Sequence, residues 1–142
     1  MPVSLKEDIK SELDDMVKNG INTKLEGEPT PWVNSLVYRR KQDGRLRLCL
    51  DPKDLNAAIQ RKHHVTPTLE EILPKLTRAT VFSIVDAKCR YWNVVLNKES
   101  GYLTTFNSPF GRYSFNRVPF GLKMSQDIFQ TKIDQTFGGA KE

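Results

Sequence analysis

The sequence predicts an α+β fold from three observations: helical apolar spacing near both ends of the chain, apolar alternation beside a Gln-Asp-Gly turn, and a β-branched run in the middle. Leu5, Ile9, Leu13, Met16 and Val17 recur at three- and four-residue steps before Asn19-Gly20. This predicts an amphipathic helix over residues 5–18, with Ser4 and Glu7 as its capping box. Residues 21–32 carry Gly27, Pro29 and Pro31 and read as an extended connection without regular structure. Residues 33–38, and Leu46, Leu48 and Leu50 alternating with Arg47 and Cys49, predict a hairpin around Gln42-Asp43-Gly44. Asp51-Pro52 ends its second strand, and residues 54–59 suit a short helical turn. Thr68 and Glu71 form a second capping box, ahead of a helical face carrying Leu69, Ile72, Leu73 and Leu76 that Pro74 should distort or shorten. Residues 79–85 form a continuous, mostly apolar run rich in β-branched and aromatic residues, which predicts a strand covered on both faces and ending in Asp86. Residues 91–96 read as the next strand, and residues 101–106 and 112–118 as an antiparallel pair across Ser108-Pro109-Phe110-Gly111. Ser125 reads as the N-cap of a last helix with Ile128, Phe129, Ile133 and Phe137 on its apolar face, broken by Gly138-Gly139.

A length of 142 residues suits one domain. Twenty-two Lys and Arg against 17 Asp and Glu leave a net charge of +5, and the excess is concentrated. Arg39 to Arg47 puts five cations in nine residues, and Arg61, Lys62, His63 and His64 form a second basic stretch. Polyanions are the natural partners of such stretches, and a solvated basic face is the alternative. No apolar run approaches the roughly 20 residues of a membrane span, and MPVSLKEDIK has no apolar signal core, so neither membrane insertion nor export is expected. Cys49 and Cys89 lack CxxC spacing and give neither a disulfide framework nor a zinc set, so reduced intracellular thiols are expected.

Asp86 stands where a buried strand gives way to Ala87-Lys88-Cys89-Arg90, so its carboxylate can serve as a magnesium platform or simply cap a turn. Tyr91 either shapes a sugar or base pocket beside Asp86 or belongs to the core. Arg40, Lys41 and Arg47, close to a hairpin tip, either close on a triphosphate or protect a sheet edge by charge. His63-His64 has no third metal ligand at a suitable spacing and reads as surface. No nucleophile elbow and no Gly-rich phosphate loop is present, which leaves a hydrolase triad or a P-loop without support.

Taken together, SLKEDIKSELDDMVKNGI, PWVNSLVYRRKQDGRLRLCLDPKDLNAAIQ, TPTLEEILPKLTRATVFSIVDAK and LTTFNSPFGRYSFNRVPFGLKMSQDIFQ occur in an order and spacing that resembles the reverse transcriptase domain of gypsy-type LTR retrotransposon Pol polyproteins. The resemblance implies a right-hand polymerase in which this chain is a partial domain, truncated, with an antiparallel sheet and flanking helices. Residues 1–80 would be mainly fingers with the leading helix, and residues 81–142 the first part of the palm with a nucleotide-site loop. By motif position Asp86 would be the first catalytic, metal-binding aspartate, with the Ala87 carbonyl as a further ligand. Tyr91 would exclude a ribose 2′-hydroxyl. Arg47 would contact the incoming triphosphate, with Arg40 preferred to Lys41 as the second fingers cation, and Phe120 and Gly121 would border the nucleotide and template.

The implied activity is transfer of deoxynucleotides from their triphosphates to a primer 3′-hydroxyl on an RNA or DNA template, with two Mg²⁺ ions. The family's second acidic motif, Asp-Asp after the last helix, is not found; the Asp-Asp of this sequence is Asp14-Asp15, in the first helix. The chain is therefore expected to be inactive alone and to need the remaining Pol segments. The alternatives are a non-catalytic nucleic-acid-binding fragment or an inert retroelement remnant. The sequence departs from the family at Cys89 and Arg90, where the resemblance implies a small residue and glycine, and Arg90 sets a large cation beside the expected nucleotide pocket.

Overall fold

A computed structural model describes residues 3–60 and 63–138. The order is α1 (Val3–Lys18), β1 (Asn22–Leu25), β2 (Ser35–Arg40), β3 (Leu46–Asp51), α2 (Lys53–Ala58), α3 (Leu69–Leu76), a 3₁₀ turn (Arg90–Asn93), α4 (Lys98–Leu103), β4 (Phe106–Ser108), β5 (Gly111–Phe115) and α5 (Ser125–Phe137). Two antiparallel sheets form, one ordered β1-β5-β4 and the other the β2-β3 hairpin, so the α+β class holds. No helix among the described residues is long and apolar enough to cross a membrane.

The core lies where α1 packs against both sheets. Ile9, Leu13 and Met16 follow helical spacing and meet Leu46, Leu48 and Leu50 of β3 together with Phe106, Tyr113 and Phe115 of the larger sheet. Strand alternation sends the leucines of β3 inward and leaves Arg47 outside. Asn34 joins the two sheets: its backbone N–H and its side-chain amide both donate to the Thr105 carbonyl, at 2.7 and 2.9 Å, and the amide also donates to the Leu103 carbonyl at 2.9 Å. A second cluster of Tyr91, Val94 and Val118 is covered by Phe120 and by Ile128 and Phe129 of α5.

Several sequence expectations change in three dimensions. Residues 22–25, expected to be irregular, form β1, because β5 pairs with them from Phe115 to Arg112. A partner so far along the chain leaves no local signal. α1 begins at Val3, so Ser4 sits within its first turn and does not cap it. The Thr68–Glu71 capping box forms as expected around α3, with Pro74 inside the helix. Residues 91–96 open with the 3₁₀ turn instead of a strand; Cys89 adopts a left-handed conformation, φ 50°, and the Asn93 amide donates to the carbonyls of Lys88 and Arg90, both at 3.1 Å. Only their end is extended, with Val94 and Leu96 bonded to Val118 and Asn116. Residues 98–103 form α4 where the start of a strand was expected, because the Asn97 side chain caps it by accepting from the Ser100 N–H at 2.8 Å. The turn after Ser108 does join two antiparallel strands. α5 starts with Ser125 inside the helix, and the Ser125 hydroxyl donates to the Pro119 carbonyl at 2.8 Å instead of capping.

The largest difference concerns residues 79–85. They form no strand and are open to solvent, with Ile84 97% exposed, and the apolar face of α3 is likewise uncovered. A covered strand needs lateral partners and a layer on each face, and none is found among the described residues. His64, expected on the surface, is half-buried with its Nε2 2.6 Å from Asp134 Oδ2 of α5, whereas His63 is exposed. Arg61 and Lys62 of the second basic stretch, and Gly139, lie outside the described residues.

Gly121 closes the fold around the hairpin. Its φ is +111°, and a Cβ there would come within 2.4 Å of the Leu50 carbonyl oxygen. The Gly121 carbonyl accepts from the Asn56 amide at 2.9 Å, and Asn56 Oδ1 accepts from the Lys123 N–H at 2.9 Å, so loop, β3 and α2 are tied together. Gly121→Ala combines a disfavoured backbone conformation with a clash against main chain, and it should cost about 1–3 kcal/mol. Urea unfolding of the variant should show a clearly lower midpoint; an unchanged midpoint would mean that this crossing does not exist.

Candidate functional site

An open cavity of about 550 Å³ lies between the hairpin and the segment after residue 85. Lys41, Arg47 and Leu48 line it from the hairpin, Asp86, Ala87, Cys89, Arg90 and Trp92 from the segment opposite, with Phe120 and the α1 residue Glu12 completing the wall. Arg47 reaches it because it stands between the buried Leu46 and Leu48, and its guanidinium carbon lies 4.3 Å from the centre of the Phe120 ring. Three cations, Lys41, Arg47 and Arg90, thus share a cavity with two carboxylates, Glu12 and Asp86.

The structure brings Asp86, Ala87, Arg47, Lys41 and Phe120 together on this cavity. Arg40 is placed elsewhere: it pairs with Asp8 at 2.8 Å and donates to the Gly44 carbonyl at 3.1 Å, while Lys41, the less favoured candidate, faces the cavity. Tyr91 is buried behind the cavity, its hydroxyl donating to Gln126 Oε1 at 2.9 Å and its ring packed on Phe120 and Phe129 with centroids 4.8 and 5.9 Å away. Gly121 holds the loop against Leu50. Arg39 is directly opposite Arg47 across the hairpin, so two like charges share one face, over a second groove of about 570 Å³ lined by residues 39–43 and Arg47.

Asp86 is exposed, and among the described residues it makes no hydrogen bond or ion pair. A single free carboxylate beside room for phosphate is the protein share of a donor set that magnesium accepts. No group of three His, Cys, Asp or Glu side chains among the described residues gathers to hold a metal alone. Glu12 was missed by the sequence reading, as nothing in a helical Ser-Glu-Leu marks a side chain that faces another element's cavity. Burial holds its carboxyl above the ordinary 4.5; Lys41 opposes this shift, Asp15 adds to it and Arg45 opposes it.

A cationic hairpin thus faces an exposed carboxylate across an open cavity. Residues 39–142 match the family described as reverse transcriptase (RNA-dependent DNA polymerase), and the chain belongs to that family. Over 112 residues it is 36% identical to the enzymatic polyprotein of Figwort mosaic virus (strain DxS), a match covering 79% of this chain and 16% of that protein. The chain thus spans a small part of the curated relatives it matches. The native protease-reverse transcriptase of Prototype Foamy Virus superimposes on the whole chain with a TM-score of 0.81 at 22% identity, over 19% of its own length. The foamy viral protease-reverse transcriptase dRH in complex with double-stranded DNA superimposes with a TM-score of 0.79 at 22% identity, over 94% of this chain and 23% of that one. These likenesses show the fold: the chain has the architecture of part of a reverse transcriptase.

The raised Glu12 carboxyl has a consequence for stability. Below the unfolded value both states are protonated and burial is not penalised; as pH rises through that value the unfolded chain ionises more readily, and the folded state loses stability up to the folded value. Glu12→Gln should therefore raise the melting temperature at pH 7, with the gain vanishing below about pH 4. Melts at both pH values check this, and an equal gain at both would remove the ionisation argument.

Proposed function

We propose that the chain is the nucleotide-side segment of an RNA-directed DNA polymerase of the gypsy-type retroelement kind, with fingers over residues 1–80 and the first part of the palm over residues 81–142. The observation that carries this reading is the convergence of Lys41 and Arg47 with Asp86 on one cavity. The reaction is attack of a primer 3′-hydroxyl on the α-phosphate of a deoxynucleoside triphosphate, with pyrophosphate leaving. Arg47 and Lys41 bind the triphosphate oxygens, the guanidinium of Arg47 being set in place by the Phe120 ring. Tyr91, fixed by Gln126 and its aromatic neighbours, is a rigid backing under the sugar that leaves little room for a 2′-hydroxyl. Asp86 and the Ala87 carbonyl would hold Mg²⁺, which when bound supplies stabilisation of charge on the phosphate oxygens.

The 142 residues carry Asp-Asp only at Asp14-Asp15, which lies in α1, so by themselves they do not supply the family's second acidic position. We expect no polymerisation from this chain without the other Pol segments. A second reading, nucleic-acid binding without chemistry, is favoured by the facing Arg39 and Arg47, whose repulsion a phosphate backbone relieves. The bound double-stranded DNA in the foamy viral relative agrees with an RNA or DNA template-primer as the partner.

Template-primer binding measured across a salt series should weaken steeply as salt rises, and Arg47→Ala should lower the slope by about one. Salt-independent binding would count against both readings. Primer extension with Mg²⁺ should be absent; extension by the isolated chain that Asp86→Asn abolishes would overturn the expected inactivity.

A further inference from the structure

The cations near the cavity differ in what already neutralises them. Arg40 is paired with Asp8 and Arg45 with Asp43, whereas the guanidiniums of Arg47 and Arg90 have no carboxylate partner among the described residues. Both instead lie over aromatic rings, and those rings touch. Arg47 Cζ is 4.3 Å from the Phe120 centroid, the Phe120 and Tyr91 centroids are 4.8 Å apart, and Arg90 Cζ is 4.9 Å from the Tyr91 centroid. The result is a ladder with a guanidinium at each end, and both ends line the same cavity.

The local backbone fixes the far end. The left-handed Cys89 turns the chain sharply after Asp86, and the Asn93 amide closes on the carbonyls of Lys88 and Arg90, so Arg90 enters the 3₁₀ turn from a pinned main chain. A guanidinium resting on a ring loses less freedom on binding an anion, while its N–H edges stay available to fork onto phosphate oxygens. With Glu12 and Asp86 also on the wall, two cations leave the cavity neutral and the third makes it positive.

We propose that Arg90 is a phosphate-binding residue, and that Arg47 and Arg90 form the two ends of a clamp for the polyphosphate tail of a nucleoside triphosphate. This rests on reading the cavity as a nucleotide site, and it adds a contact from the carboxylate side of that cavity to those of the hairpin. Arg90 then acts in the same pocket as Asp86 and does not obstruct it.

Calorimetric titration of the whole chain with inorganic tripolyphosphate, at low salt and without divalent metal, tests the clamp, with dATP titrated in parallel. The wild-type chain should bind both. Arg90→Ala and Arg47→Ala should each weaken tripolyphosphate binding roughly tenfold, as loss of a charge-assisted bond implies. Arg90→Lys should fall between, because it keeps the charge and loses the fork. Lys98→Ala, on α4 with its ammonium over Tyr102, should change nothing. Arg90 is exposed, so thermal melts of its variants should match wild type and separate lost binding from lost folding. Full affinity in Arg90→Ala together with loss in Arg47→Ala would overturn the role of Arg90 and leave the nucleotide reading standing. Failure of the wild-type chain to bind either ligand would overturn the clamp and the nucleotide reading together, and dATP binding without tripolyphosphate binding would overturn the clamp alone.

Discussion

The register of the β2–β3 hairpin is the constraint on which the site depends. Leu46, Leu48 and Leu50 are buried against Ile9, Leu13 and Met16, and side chains alternate along a strand, so Arg47 has one direction in which to emerge. A slip of one residue would drive a guanidinium into the core and three leucines into water. Burial of each leucine is worth about 1.5–3 kcal/mol, so apolar energy sets the face from which Arg47 emerges, and the Phe120 ring then places its guanidinium.

The opposite wall is built differently. Residues 79–88 have no regular structure, and Asp86 is presented by an open segment whose course is set at its end by the left-handed Cys89 and the Asn93 bonds. Phe120 and Tyr91 bridge the two walls, and Gly121 lets the loop behind Phe120 approach the main chain of β3. One wall is therefore held by a packed core and the other by a turn and ring contacts.

The amphipathic α3 and the run through residues 79–85 carry more apolar surface than the described residues cover. Their pattern is that of buried elements, and the chain spans 16% of the length of its Figwort mosaic virus relative. Pattern and burial disagree here because periodicity specifies what a segment can bury, while burial needs another segment to be present.

Several elements defined by their own neighbours in sequence were legible there, although α4, capped locally by Asn97, and the 3₁₀ turn closed by Asn93 were expected as strands. The spacing of Ile9, Leu13 and Met16, the Gln42-Asp43-Gly44 turn between alternating strands, the Thr68–Glu71 box and the turn after Ser108 all formed, because each rests on contacts within a few residues. The motifs around Arg47 and Asp86 likewise marked the family. Tertiary structure alone decided that residues 22–25 become a strand, that Lys41 and not Arg40 faces the cavity, that Glu12 reaches it from α1, and that Arg47 and Arg90 end one aromatic ladder. Each of these depends on a partner far away in the chain, such as β5 for β1, Asp8 for Arg40, and the tilted ring contact of Phe120 with Tyr91 for the two arginines. Local propensity carries no record of such pairings, since their energy exists only once the core has brought the segments together.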